Sequence, residues 1–311
     1  MARVARMKFD VTVGWYHLYA SVAGVPGQYV LESAATRKKL IDLIKHYAKA
    51  YCCCEVASFS IMGNHYHLVA RFDSRRKVSK EELMERALRF YPGSKEKLEG
   101  WSRWKWERFE QRIFDVSEFM RNVQAAFARW YNRTNRRKGR FWADRFKSTL
   151  LATPESVLEC VMYVELNAVR AGLVERPEDY SGGSLYLREM GKDDWLLPLN
   201  EFYLEGEEQR KYESLKELIY HRGAVKTKEN QKVILPELLE RERRRGFARS
   251  GVYRKKLRYF TDSLILGGEL FMRDQLAVLR EAGHYLRRQH PVKQEGGIFG
   301  LREQRSHYVP M

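Results

Sequence analysis

Cysteine is scarce in this chain of 311 residues, and its four cysteines are poorly spaced for disulfides or for zinc. Cys52, Cys53 and Cys54 are consecutive, and Cys160 stands alone. Because consecutive residues of a strand point to alternate faces, the triplet cannot easily surround one zinc ion, and CxxC spacing does not occur. We therefore interpret all four as reduced, partly buried thiols without a metal or redox role.

Long apolar runs are also missing. None approaches the ~18 residues that a membrane-spanning helix needs, and the first residues, MARVARM, have no apolar core of the kind that signal peptides carry. Internal repeats and low-complexity tracts do not occur either. These absences argue against a membrane partner and predict a cytoplasmic protein.

Positive charge is abundant. The chain has 57 Lys and Arg against 40 Asp and Glu, a formal net charge of +17. Such an excess favours a polyanionic partner, either nucleic acid or an anionic membrane surface. Since nothing marks the chain for a membrane, we favour nucleic acid.

The order of predicted elements is that of an α+β fold. Hydrophobic periodicity and capping residues predict strand, helix, strand, strand, helix, strand and helix, with Ser33, Asp115 and Thr153 as helix N-caps. The predicted strands lie at 9–15, at 54–61, directly after Gly63-Asn64, and at 146–151. This order predicts a mainly antiparallel sheet covered by helices.

The third predicted strand carries two histidines, in GNHYH at residues 63–67. Residues i and i+2 of a strand share a face, so His65 and His67 point the same way. Tyr66 and Leu68 then point to the opposite face, which reads as the core. Two imidazoles converging from a rigid strand can hold one divalent metal ion, although two ligands do not complete a site.

A second motif, YVELNAVRAGLV at residues 163–174, completes a recognisable pattern. Together with GNHYH and with GRFWADRFKS at residues 139–148, it resembles the single-tyrosine HUH transposases, and among them the REP-associated tyrosine transposases. The resemblance covers about residues 11–186. It implies a ferredoxin-like core and a DNA transposase, which is an endonuclease and strand transferase on single-stranded, hairpin-forming DNA.

The resemblance also implies the chemistry. Tyr163 would be the nucleophile and would form a 5′-phosphotyrosine link to DNA, leaving a free 3′-OH on the other side. Asn167 lies one helical turn from Tyr163. If that helix face packs over the histidine strand, Asn167 can join His65 and His67 as a third metal ligand, with Glu159 as its substitute. Two imidazoles and an amide oxygen suit Mg²⁺ or Mn²⁺.

Basic residues interleaved with aromatic ones predict a path for single-stranded DNA, because aromatic faces stack on bases and basic groups follow phosphates. We place this path at Arg140, Trp142, Arg145 and Lys147, with Trp104 and Trp106 as second candidates. Arg170 and the exposed-looking arginines Arg243, Arg244 and Arg245 are further candidates for phosphate contacts. The alternative for each is a buried tryptophan or a solvated charged face.

We expect two domains. Residues 1–190 would form the catalytic domain, with a helical insertion at about 73–112, and residues 191–311 a helical, basic accessory domain. In the second region helices are predicted at 207–220, 235–245 and 269–282, and a dense basic run extends over 241–258. A monomer and a homodimer are both compatible with the sequence.

Two other functions stay open. A nucleic-acid-binding regulator could keep the fold and lose the chemistry, although His65, His67, Tyr163 and Asn167 are all present. A rolling-circle replication initiator or relaxase shares the histidine pair. The family usually has proline where this chain has Ala168, and a proline there would shape the end of the helix after Asn167. His17, in the first predicted strand, is assigned a structural role.

Overall fold

The computed structural model describes residues 13–24, 27–51, 54–73, 77–202 and 208–249, and the backbone of 263–267, 292–293 and 299–302. The chain divides into two compact units, Met1–Arg249 and Ser250–Met311. The beginning of the first predicted strand, Cys52 and Cys53, and the helix predicted at 269–282 lie outside the described residues.

Four antiparallel strands form the sheet of the first unit. They are β1 (Val13–Ser21), β2 (Cys54–Ile61), β3 (His65–Asp73) and β4 (Lys147–Leu151). Their order is β2-β3-β1-β4, so β1 and β3 are central. In the register, Tyr19 lies opposite His67 on one side and opposite Lys147 on the other. This sheet, with helices on both faces, confirms the predicted α+β class.

One face of the sheet carries the larger core. Leu18, Tyr66 and Leu68 are fully buried there, and they pack under α1 (Ala34–Ala50) and α5 (Val116–Thr134). The predicted caps form: the hydroxyl of Ser33 and the carboxylate of Asp115 accept backbone N–H groups of the first turns of α1 and α5. Three helices fill the predicted insertion: α2 (Lys80–Phe90), α3 (Lys95–Glu99) and α4 (Arg103–Ile113).

The other face is covered by α6 (Pro154–Glu165) and by helices that follow it. They are α7 (Asn167–Arg170), α8 (Ser184–Glu189), α9 (Glu208–Ala224) and α10 (Pro236–Arg244). Thr153 caps α6, as the sequence predicts, and it does so in a capping box with Ser156; Pro154 is the first residue of the helix. Among the described helices, none is long and apolar enough to cross a membrane.

The helix that begins after the Thr153 N-cap is interrupted at Leu166, between α6 and α7. The side-chain amide of Asn167 donates to the carbonyls of Tyr163 at 3.2 Å and Val164 at 3.3 Å, which satisfies groups that a helix end leaves without partners. α7 then ends at Arg170, and the chain turns at Gly172, which has a positive φ of 71°. The interruption leaves Tyr163 in the last turn of α6.

A buried ion cluster joins α9 and α10 to the rest of the first unit. Nζ of Lys216 lies 2.9 Å from Glu178 and 3.2 Å from Glu242, and a guanidinium nitrogen of Arg176 lies 2.6 Å from Glu178. Burial makes such pairs costly to break. By packing, α9 and α10 therefore belong with residues 13–202, while the functional boundary placed between residues 190 and 191 stays a prediction.

The second unit contains strands that the sequence reasoning missed. β5 (Ser263–Gly267), β6 (Val292–Lys293) and β7 (Phe299–Arg302) form an antiparallel sheet in the order β5-β7-β6. The helical prediction for residues 191–311 is therefore right for α9 and α10 and wrong for these segments. SLILG at β5 is too short for its periodicity to distinguish strand from helix.

Candidate active site

A pocket of about 430 Å³ opens on the face of the sheet that α6 partly covers. Strand alternation builds its floor, since every second residue of β1, β3 and β4 points to this face. The lining side chains are those of His17, Tyr19, His65, His67, Lys147, Thr149 and Tyr163. The two histidine-bearing strands are hydrogen-bonded neighbours, so the positions of these rings are set by the centre of the sheet rather than by a loop.

Tyr163 contributes the wall of the pocket that comes from α6. Its ring centroid lies 5.5 Å from that of His67 and 6.1 Å from that of His17, edge-to-face in both pairs. The residue is 41% exposed, which is high for a large aromatic residue in a helix that otherwise packs on the core. The predicted packing of the tyrosine face over the histidine strand is thus present.

Glu165, two residues further on, fixes α6 from its buried side. Its carboxylate accepts hydrogen bonds from the hydroxyl of Ser58 at 2.8 Å, from the hydroxyl of Ser184, and from the backbone N–H of Leu185 at 3.1 Å. Burial raises the pKa of this carboxyl, and the hydrogen bonds oppose that shift. Three donors from two other elements therefore hold the last turn of α6, which carries Tyr163.

His17 is in direct contact with His67, although the sequence suggested a structural role for it. Its Nε2 lies 2.9 Å from Nδ1 of His67, at hydrogen-bonding distance, and the rings are stacked. The sequence signal for His17 is its place among the alternating apolar residues of β1. Its contact with His67 follows from the pairing of β1 with β3. Tyr19, also on β1, was missed for the same reason.

The imidazoles of the pocket favour their neutral form. Burial, followed by the charges of His17 and His65, lowers the pKa of His67 to about 3. Burial also lowers the pKa of His17 and of His65. Each neutral ring keeps one nitrogen lone pair, which is the form that binds a metal ion.

Of the three predicted ligands, His65 and His67 meet in the pocket, whereas Asn167 and its substitute Glu159 do not line it. The ring centroids of His65 and His67 are 5.1 Å apart. Asn167 is not among the lining residues, and its amide caps α6; the carboxylate of Glu159 lies 3.2 Å from Nε of Arg222. Within the described residues, no group of three or more His, Cys, Asp and Glu is placed to hold a metal ion. The two imidazoles therefore fit a divalent metal ion as two of its ligands. Water and a phosphate oxygen would have to supply the remaining ligands.

Two predicted phosphate-binding residues are at the pocket. Lys147 lines it, and its Nζ lies 5.8 Å from the ring centroid of Tyr19. The guanidinium carbon of Arg170 lies 5.7 Å from the ring centroid of Tyr163. Both bring positive charge to the tyrosine and histidine rings.

The other predicted DNA contacts are spread over the surface, with one exception. Trp142 is 8% exposed, packs on Tyr66 and Phe127, and donates from Nε1 to the carbonyl of Gln124 at 2.9 Å. Its faces are thus in the core, where no base can stack, and the prediction of a stacking role at Trp142 is wrong.

The remaining candidates lie as follows. Arg140 and Arg145 are exposed, and a guanidinium nitrogen of Arg140 is 3.9 Å from Asp144. Trp104 is 61% exposed with Arg108 over its ring, whereas Trp106 is half-buried. The end of α10 presents Arg243, Arg244 and Arg245, each within 3.4 Å of Glu240 or Glu242.

Comparison with known proteins gives a distant structural similarity. No protein family model and no curated protein sequence matches this chain. Among solved structures, the chain is similar to that of a REP-associated tyrosine transposase bound to a REP hairpin. The two share 13% sequence identity with a TM-score of 0.41, and the match covers 67% of this chain and 93% of the other.

Proposed function

We propose that this protein is a metal-dependent transposase-type endonuclease that cleaves and rejoins single-stranded, hairpin-forming DNA through Tyr163. The observation that carries the proposal is the exposed side chain of Tyr163, which lines the same pocket as His65 and has its ring centroid 5.5 Å from that of His67. An exposed nucleophile beside two neutral imidazoles is an arrangement suited to phosphoryl transfer.

The reaction exchanges one phosphate ester for another. The phenolic oxygen of Tyr163 attacks phosphorus and loses its proton to solvent or a neighbouring base. The bond from phosphorus to the 3′-oxygen breaks, and that oxygen takes up a proton. The product is a 5′-phosphotyrosine and a free 3′-OH. Attack of a 3′-OH on the phosphotyrosine reverses these changes, so rejoining consumes no energy source.

His65 and His67 would hold the Mg²⁺ or Mn²⁺ ion. When bound, such an ion neutralises negative charge on the phosphodiester and polarises it. The protein's own contribution is positional: β3 fixes both imidazoles, and the hydrogen bonds to Glu165 fix the tyrosine helix. Lys147 and Arg170 add positive charge that attracts the DNA backbone to the pocket.

The experiment uses a pool of hairpin DNAs with single-stranded flanks, each labelled at either the 5′ or the 3′ end. The protein is incubated with the pool and Mn²⁺, then denatured, and covalent adducts are separated on a gel. Because the link is to a 5′-phosphate, only the 3′-labelled DNA should migrate with the protein, and mass spectrometry should locate the link at Tyr163. A 5′-label in the adduct, or no adduct with any hairpin, contradicts the proposal.

A second candidate function rests on Asn167. Its side-chain amide is used to cap α6, so the pocket has only two of the predicted metal ligands. A regulator that binds hairpin DNA without cutting it needs no complete metal site. Tight hairpin binding together with no adduct in either Mg²⁺ or Mn²⁺ would favour this function.

A further inference from the structure

α9 brings an arginine to the face of α6 that carries Tyr163. Nε of Arg222, near the end of α9, lies 3.2 Å from the carboxylate of Glu159. Glu159 and Tyr163 are one helical turn apart on α6, so their side chains are neighbours. The contact places a guanidinium from beyond residue 207 one turn away from the proposed nucleophile.

Arg170 brings a second guanidinium to the same place. It lies over the ring of Tyr163, and its pKa is lowered by burial and, next, by the positive charge of Arg222. The two arginines therefore interact unfavourably with each other, while the negative charge of Glu159 offsets part of this repulsion. An additional anion bound beside Tyr163 would relieve this repulsion.

Arg222 is presented by a rigid element. The buried side chains of Leu215, Ile219 and Tyr220 on α9 pack in the same core cluster as Val161 of α6. Lys216 of α9 is also held between two buried carboxylates. The backbone that carries Arg222 is therefore fixed, so binding a ligand there need not order the main chain.

We propose that Arg170 and Arg222 together bind a phosphodiester group of the DNA strand next to Tyr163. The inference rests on the proposed function, because it takes the DNA substrate from there. Guanidinium groups suit this role, since their planar N–H pairs match the oxygens of a phosphate. In the free protein the carboxylate of Glu159 pairs with the guanidinium of Arg222. When DNA binds, a phosphate group takes the place of that carboxylate. α9 thus completes the active site, which gives part of the region predicted as an accessory domain a direct role in DNA binding.

The test measures binding of a fluorescent 30-nucleotide oligothymidylate to the full chain, with EDTA present, at several salt concentrations. We compare Arg222→Gln with Arg210→Gln, which removes the same charge from an exposed position of α9. Loss of one phosphate contact should reduce the salt slope by about 0.7. It should weaken binding about tenfold, as expected for a charge-assisted hydrogen bond. Arg210→Gln should change the salt slope and the affinity less than Arg222→Gln does.

Glu159→Gln distinguishes phosphate binding by Arg170 and Arg222 from an ion pair between Arg222 and Glu159 that is only structural. If Glu159 competes with phosphate, this variant should bind the oligothymidylate more tightly than wild type, opposite in sign to Arg222→Gln. If the pair only stabilises the fold, both variants should weaken binding alike, which overturns the proposal. Equal effects of Arg222→Gln and Arg210→Gln overturn it as well. Arg222→Lys, which keeps the charge, should retain the salt slope and lose part of the affinity; it decides the matter if Arg222→Gln does not fold.

The adduct assay with wild type is scored separately. Absence of any adduct contradicts the nuclease proposal, whereas the binding measurements still decide whether Arg222 contacts phosphate.

Discussion

Nε2 of His17 and Nδ1 of His67 lie 2.9 Å apart, in stacked rings whose planes differ by 14°. Because Nδ1 of His67 is engaged by His17, Nε2 is the nitrogen of His67 that remains for a ligand in the pocket. A hydrogen bond on the far nitrogen is the usual way in which proteins fix the tautomer and orientation of a metal-binding histidine. His17 is therefore expected to position His67.

Replacing His17 by Ala should weaken Mn²⁺ binding, about 10- to 100-fold by analogy with other residues that orient metal ligands. The measurement is titration calorimetry with Mn²⁺ in the absence of DNA. His46→Ala is the matched control, because His46 lies on α1, which covers the opposite face of the sheet. Unchanged Mn²⁺ affinity in the His17 variant would show that the contact is structural only.

His65→Ala and His67→Ala should each abolish adduct formation in Mg²⁺ or Mn²⁺. Both side chains point away from the core beneath α1 and α5, so circular dichroism should show a retained fold. The comparison is wild type and each variant, with metal and with chelator. Full activity of either variant with chelator present would remove the metal site from the mechanism.

Glu165→Ala should destabilise the first unit by about 2–4 kcal/mol, because it leaves buried donors such as the hydroxyl of Ser58 and the N–H of Leu185 without an acceptor. Glu175→Ala, at an exposed position, is the control and should change the free energy of unfolding by less than about 0.5 kcal/mol. Urea unfolding measures both. Equal stability of the two variants would mean that α6 is held mainly by its apolar contacts.

Replacing Arg243, Arg244 and Arg245 together by Gln should flatten the salt dependence of single-stranded DNA binding. Each lost phosphate contact should reduce the steepness of the negative slope of log K against log salt by about 0.7. The effect should be the same for all DNA sequences. Cleavage-site choice should change little, because phosphate contacts position DNA without reading bases. The control is a second triple variant that also removes three positive charges, in which Gln replaces Lys38, Lys45 and Lys49 of α1. If both triple variants have the same slope as wild type, this end of α10 faces solvent or another protein.

Elements with strong local signals were predictable. Ser33, Asp115 and Thr153 are capping residues next to periodic helices, and the alternation after Gly63 places Tyr66 and Leu68 in the core. Local sequence dominates at such positions.

Features that depend on distant contacts were not predictable. The position of His17 beside His67 follows from strand pairing across 50 residues, and burial of Trp142 follows from the packing of α5. The interruption at Leu166 depends on how Asn167 uses its amide, and the same residue type also fits a ligand role. The contact of Arg222 with Glu159 required the packing of α9 on α6.

The pocket contains two tyrosines, and this allows the most direct test of the account. Tyr163 comes from α6, while Tyr19 comes from β1 with its ring centroid 5.0 Å from that of His67. Tyr163→Phe and Tyr19→Phe each remove one hydroxyl and keep the ring. The measurement is the yield of covalent protein–DNA adduct with labelled hairpin DNA and Mn²⁺, alongside hairpin affinity. We expect no adduct and nearly unchanged affinity for Tyr163→Phe, and retained adduct for Tyr19→Phe. Adduct formation by Tyr163→Phe, or its loss only in Tyr19→Phe, would contradict the assignment of Tyr163 as the nucleophile.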